Sequence, residues 1–350
     1  MEEKNGEKIL YANILKIVAS IAVVLLHVSA IDWYMIDATS KEWNIINIYD
    51  SIVRWGVPIF VMVTGMLLLP EEKEIKISKI FKKYIKRVMI MLVIWSAFYA
   101  ILDRALLTPD ISTKYFIMSF INGHYHLWYL YMLIGLYLAT PIIKLITKPE
   151  NKKIIEYFLI IWFISECCLN MIIKLPIFSN LDIIYANFHI DFFLGFVGYY
   201  ILGYYLSKYD IKKHTRYILY VLGILSVIFI ILGTRYLKIT DYKLPTVFYN
   251  ALSAPVCLNS MAVFCMVKQI FSKKRFAEKT QVIINKWTKL SLGVYLIHPM
   301  YIVIMSKLNI SLLQWPVILS IPIATIIIYI LSAIPSYILS RIPKIGKFIV

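Results

Sequence analysis

Charge is scarce in this chain of 350 residues. Only 16% of them are Asp, Glu, Lys or Arg, and acids are the rarer class, 20 against 37 bases. A soluble domain of this length needs a surface of mixed charge, so an ordinary soluble fold is excluded. Cysteine is equally thin. Cys167, Cys168, Cys257 and Cys265 all fall inside apolar runs, at spacings that suit neither a metal site nor an extracellular disulfide framework. No metal is expected. Gly/Ser linkers, Pro-rich stretches and low-complexity tracts are also missing, which leaves no point of division, and residues 1–350 read as a single transmembrane domain. The halves show no internal repeat and no matched pair of Gly/Pro-broken segments.

What the chain has in abundance is apolar length, at 60% hydrophobic residues. Runs long enough to cross a hydrocarbon core of about 30 Å recur throughout. They are continuous rather than alternating, so helices are the spanning element. The expected fold is an all-α polytopic membrane protein of about ten spans, near residues 9–32, 47–70, 88–105, 125–147, 154–173, 188–207, 217–236, 246–270, 289–306 and 314–340. With the N-terminus inside, 26 of the 37 Lys and Arg fall in inner segments, 8 in outer ones, and Lys16, Arg54 and Lys144 within spans. That bias puts both termini in the cytoplasm and explains most of the net charge of +17 without nucleic acid. Some of the excess is available to anionic lipid or a phosphorylated ligand. Val28-Ser29-Ala30 imitates a signal-peptide cleavage site, but the first run is long for such a segment and its leader partly acidic, so it is expected to remain as a span.

The first span carries two costly residues, Lys16 and His27. An ionised lysine in the bilayer interior costs roughly 2.5–3.5 kcal/mol on insertion scales. Eleven residues make three helical turns plus about 20°, so both side chains share a face, about 16 Å apart along the axis. Polar residues also mark the outer ends of other spans. Asp50 and Arg54 stand four apart and can pair; Asp103 and Arg104 close the third span; His124 and His126 open the fourth; Asp182, His189 and Asp191 flank the start of the sixth. Glu166 lies two-thirds along the fifth span. Together they suggest a polar cavity opening outward, although His124 or Asp182 alone would read as an interfacial residue. On the inner side Lys79, Lys82, Lys83, Lys86 and Arg87 recur at three- and four-residue spacing, as one basic stripe on a helix. The stripe fits a headgroup anchor or a docking surface for a phosphate-bearing cofactor. In the ninth span Ser291, Tyr295 and His298 share a face, and His298 before Pro299 fits a ring that bonds a carbonyl freed by the kink.

At these residues the chain resembles the acyltransferase family 3 membrane proteins, bacterial multi-pass enzymes that O-acylate sugars and other cell-envelope acceptors. Lys16 and His27 match a basic residue, ten residues, then histidine, with lysine where the family usually has arginine. Arg54-Trp-Gly-Val-Pro58 through Thr64-Gly65 is similar to the second-helix motif. Lys82-Lys-Tyr-Ile-Lys-Arg87 followed by Trp95, His126-Leu-Trp128-Tyr-Leu-Tyr131 with Pro141, and Tyr295-Leu-Ile-His298-Pro299 follow in family order. The likeness is to the compact branch without a soluble domain.

That resemblance implies an O-acetyltransferase in the bacterial cytoplasmic membrane. It takes acetyl-CoA (acyl-CoA) from the cytoplasm as donor substrate, with no permanently bound cofactor, and serves a cell-envelope polysaccharide or lipid-linked sugar. His27 is then general base or transient acyl carrier. Lys16 steers the acyl group, and Arg54, oriented by Asp50, stabilises the oxyanion or orients the acceptor. Lys82, Lys83, Lys86 and Arg87 hold the nucleotide phosphates, and His126, Glu166 and His298 are secondary candidates. The rival expectation is a transporter or flippase of a lipid-linked saccharide. It would need an outward cavity too, but is expected to use buried carboxylates, whereas the buried ionisable groups here are mainly His, Lys and Arg.

Overall fold

The computed structural model describes residues 2–108, 112–181, 185, 187, 195–274, 276–343 and 346–349. Helix and turn account for the described residues, and no strand occurs among them. The longer helices, in order, are α1 (Glu2–Ser29), α2 (Lys41–Val53), α3 (Gly56–Leu68), α4 (Lys86–Leu106), α5 (Thr113–Asn122), α6 (Trp128–Ile146), α7 (Lys152–Trp162), α8 (Val197–Lys208), α9 (Lys213–Ile239), α10 (Ala254–Phe271), α11 (Glu278–Lys307) and α12 (Val317–Ser340). Among the described residues, nine helical stretches have the length and apolar content to cross a membrane, and they overlay nine of the ten expected spans. The sixth, 188–207, is described only from residue 195, where it forms α8. The chain is an all-α polytopic membrane protein.

Several spans are less continuous than hydropathy suggests. The second is two helices that meet at Arg54 and Trp55. Ser40 starts α2 by accepting the Trp43 N–H at 3.1 Å, and Pro58 is tolerated in the first turn of α3, where no backbone donor is needed. The fourth is preceded by the separate helix α5, which ends at Gly123 with φ of +71°, a value glycine adopts without strain. Two π-turns interrupt α-helical winding, Ile80–Ile85 ahead of α4 and Phe163–Leu169 after α7.

The chain divides into two compact units, Met1–Glu74 with Ile142–Asn285, and Ile75–Pro141 with Lys286–Val350. In the first, α1 packs on α2, α3 and α10, and α3 on α8. The α3–α8 crossing is made by glycine. A methyl group built on Gly65 would collide with the backbone of Tyr200, and one on Gly203 with the backbone of Met62. Small residues that let backbones touch are a usual device of membrane helix pairs, where apolar side chains gain nothing over lipid. Gly56 brings α3 close to α1, since a Cβ there would lie 3.1 Å from Val23 Cγ2. Lysines finish both crossing helices. Lys144 Nζ donates to the carbonyls of Pro70 (2.6 Å), Lys73 (3.0 Å) and Leu69 (3.4 Å) just past α3, and Lys268 Nζ to those of Leu206 (2.8 Å) and Ser207 (3.3 Å) on α8. Cations there satisfy orphan carbonyls and complement the negative helix end.

In the second unit, Pro299 deprives α11 of one N–H, and carbonyls around the break are met from the side. Tyr99 Oη, fully buried, donates to the Leu296 carbonyl at 2.7 Å. Trp95 Nε1 donates to the Ile349 carbonyl at 2.8 Å, tying the C-terminal turn to α4.

Candidate functional site

Lys16 and His27 both lie on α1, and both are half-buried while Ala19, Ala22, Val23 and Val24 between them are buried. Ideal helical rise separates them by about 16 Å. Beyond the helix end, Asp32 stands in the turn five residues past His27, and partial burial pushes its carboxyl above the usual carboxylate range. Sequence reasoning passed over Asp32; its one available signal was an acid placed just after a span.

Arg54 is held by three contacts. It pairs with the fully buried Asp50, its guanidinium carbon lies 3.8 Å from the centre of the Tyr249 ring, and Nη1 donates to the Tyr249 carbonyl at 3.4 Å. Tyr249 Oη donates to Asn47 Oδ1 and accepts from Trp33 Nε1 at 3.3 Å; Asn47 Nδ2 then donates to the Ile231 carbonyl at 2.9 Å. Asn47, Asp50, Trp33 and Tyr249 are all at most 4% exposed. Burial removes the water that would otherwise compete, which strengthens each of these bonds, although Asp50 Oδ1 and Arg54 Nε are left without a hydrogen-bond partner. The network ties the C-terminal half of α2 to α9. Only the Asp50–Arg54 pair was legible beforehand, because Asn47 and Tyr249 are remote in sequence and of unremarkable type.

Glu166 lies in the second π-turn, buried, and accepts from Asn170 Nδ2 and from the Gly195 N–H, each at 2.8 Å. Gly195 has φ of +80°, so this carboxylate anchors a glycine turn ahead of α8. Lys82, Lys83, Lys86 and Arg87 are all exposed. The π-turn at Ile80–Ile85 alters the winding beneath Lys82 and Lys83, so the expected single stripe does not run straight into α4. Asp182, His189 and Asp191 lie outside the described residues.

The second unit gathers histidines. His124 and His126 face each other with Nδ1 atoms 3.0 Å apart, an arrangement in which one donates and the other accepts. His124 is stacked on Tyr99, centroids 4.3 Å apart and planes at 17°, and His126 lies edge-on to Tyr295 and His298 at 5.4 and 5.8 Å. The Tyr295 hydroxyl donates to the His126 carbonyl. His298 is fully buried and its Nδ1 is 3.1 Å from the Val294 carbonyl. A nitrogen facing a carbonyl must carry the proton, so Nε2 of His298 is the basic atom. The carbonyl-bonding role expected of His298 is therefore present, inside a cluster that the sequence did not announce. His124, half-buried, is packed between Tyr99 and His126. Between α4 and α5 this cluster borders a pocket of about 350 Å³.

The arrangement offers a half-buried imidazole with a cation on the same helix, and separately a stack of imidazoles and phenols beside a cavity. Both suit proton handling next to a hydroxyl. No curated protein and no solved structure matches the chain. A family model described as an acyltransferase domain matches residues 9–341. With nearly the whole length covered, and with the polytopic helical fold, the chain belongs to acyltransferase family 3 and is a membrane acyltransferase.

Proposed function

We propose that the protein transfers an acetyl group from cytoplasmic acetyl-CoA to a hydroxyl of a cell-envelope glycan or lipid-linked sugar, in the bacterial cytoplasmic membrane, as a single catalytic domain over residues 1–350. The observation that carries this reading is the pairing of Lys16 with His27 on one face of α1, both half-buried, within a chain of this family. Imidazole titrates near working pH, so His27 can take the acceptor proton as general base, or carry the acetyl group as an acyl-imidazole. Lys16, toward the end that the charge bias assigns to the cytoplasm, steers the thioester.

Donor capture falls to Lys82, Lys83, Lys86 and Arg87. These four cations occupy the π-turn and first turn of α4, within one continuous helical run, and repel one another there. An incoming phosphate relieves that repulsion and takes charge-assisted hydrogen bonds from them. Arg54 and Asp50 serve by holding the C-terminal end of α2 against Tyr249, while Glu166 holds the turn before α8. His126, packed on His124, and His298, packed on His126, are further proton-handling groups.

The test is release of CoA from acetyl-CoA by membranes containing the full chain. Wild type should release it, and His27→Ala should lose about 10²–10⁴-fold of the rate, the usual contribution of a general base. Undiminished release by His27→Ala at equal expression would remove His27 from the chemistry. Mass spectrometry of envelope glycans, with and without the gene, identifies the acceptor by a missing acetyl group.

A further inference from the structure

The pocket in the second unit has a construction of its own. Helix α5 spans ten residues, about 15 Å, half of what a bilayer crossing needs, and no residue of it is buried. It turns one face to the pocket, since Tyr115, Met118, Ser119 and Asn122 follow the i, i+3, i+4, i+7 pattern of a helix side. Ile117 and Ile121, on other faces, are 49% and 55% exposed. The Tyr131 hydroxyl pins the end of the helix by donating to the Ile121 carbonyl at 2.7 Å. The opposite wall is α4, through Tyr99 and Asp103, and the turn at Gly123–His124 closes the end.

The chemistry of that lining is mixed in a telling way. Asp103 Oδ1 is buried and has no hydrogen-bond partner, so a buried acceptor borders the cavity. A buried acceptor left unmet is costly, more so when charged, and a ligand hydroxyl relieves that cost. Asn122 and Ser119 each both donate and accept, while Tyr99, His124, Tyr115 and Tyr125 give flat apolar surface. A carboxylate with no lysine or arginine in the lining argues against an anion. A quaternary ammonium would suit the aromatic faces and the carboxylate, but could not use the amide and hydroxyl. A ring with hydroxyls on its rim and C–H groups on its face uses all of them. The volume, about 350 Å³, is at the small end for ligand pockets and suits one or two such rings.

We infer that the pocket between α4 and α5 binds a pyranose residue of the acceptor, with vicinal hydroxyls on Asp103 and Asn122 and a C–H face against the aromatic wall. This rests on the reading of the protein as a glycan acyltransferase, and it adds where the sugar is held. Saturation-transfer NMR on the full chain in detergent, with methyl glucopyranoside, mannopyranoside and galactopyranoside and N-acetylglucosamine as probes, tests it. At least one probe should receive saturation at its ring C–H protons. Asp103→Asn should weaken its binding roughly tenfold or more, as expected for a lost hydrogen bond to charge. Ser119→Trp, which fills the cavity, should abolish it. If Ser119→Trp does not fold, Met118→Trp, at a position 44% exposed, obstructs the same space. Absence of transfer to every pyranoside, transfer unaffected by the filling variants, or binding of choline in their place would overturn the inference. Wild-type CoA release separates the two claims. Release without pyranoside binding sinks the pocket alone, whereas pyranoside binding without release supports the pocket and counts against the acyltransfer reading.

Discussion

Replacing Gly65 or Gly203 by alanine tests whether the α3–α8 crossing is as close as described. Each added methyl group would run into backbone, of Tyr200 and Met62 respectively, and backbone cannot rotate aside as a side chain can. The helices must therefore separate. Overpacking of this kind costs about 1–3 kcal/mol, and alanine recovers about 0.5–1 kcal/mol through its better helix propensity. Each single variant should thus lose roughly 1–2 kcal/mol. The double variant should lose clearly less than the sum, because separation that admits one methyl group makes room for the other. Gly135, on α6, is the control: nothing lies within 4 Å of a methyl built there, so Gly135→Ala should be neutral or slightly stabilising. Thermal unfolding in detergent, followed by the loss of monodisperse protein, reads all four variants. Wild-type stability in Gly65→Ala, or additive losses in the pair, would refute the backbone contact. Since α3 also packs on α1, the same variants should lower CoA release in proportion to the displacement.

Other expectations follow from particular contacts. Lys144→Met removes the donor to three carbonyls beyond α3 and should cost about 1–3 kcal/mol of stability in the same assay, with Lys144→Arg recovering part of it. Lys16→Arg should keep most of the CoA-release rate, because position 16 is asked for charge, while Lys16→Ala should reduce it at least tenfold at fixed protein level. Asp210 accepts from Lys268 at 3.1 Å, and that ammonium holds its carboxyl below the usual carboxylate range. A depressed value in the folded state contributes stability above the unfolded value, near 3.9, and loses it as pH falls through the folded one. Asp210→Asn should accordingly flatten the acid limb of a melting-temperature profile. Asp32 has the opposite sign: burial raises its value, so ionisation costs stability as pH rises, and Asp32→Asn should melt higher than wild type at neutral pH.

Much of the fold was legible because a membrane reduces the problem to apolar length. Runs such as 217–236 and 314–340 could be nothing but spans, and the structure extends them only by a few residues into Lys213–Ile239 or trims them to Val317–Ser340. Breaks were harder. The stretch 47–70 reads as one piece, and only the backbone around Arg54 and Trp55 shows that it is two helices. The candidate site divides the same way. Lys16 with His27 and Asp50 with Arg54 are local pairs, fixed by helical spacing. Tyr99 against His124, His126 against His298, and Arg54 against Tyr249 are meetings of residues far apart in sequence, and nothing in a single chain's spacing encodes them. Tyr99 in particular was hidden by its type, since an aromatic residue in a span reads as core until its partners are known.

The π-turn at Ile80–Ile85 has a consequence for how this protein varies over evolutionary time. Such a turn is what a helix makes of one surplus residue. Removing that residue would restore α-helical winding and rotate everything before it by about 100° relative to α4, while leaving the bundle beyond untouched. Insertion or deletion at this one point therefore re-aims Lys79, Lys82 and Lys83, and moves the buried Ile80 with them. Lys86 and Arg87, already on α4, stay put. The basic loop is in effect a dial set in steps of one amino acid.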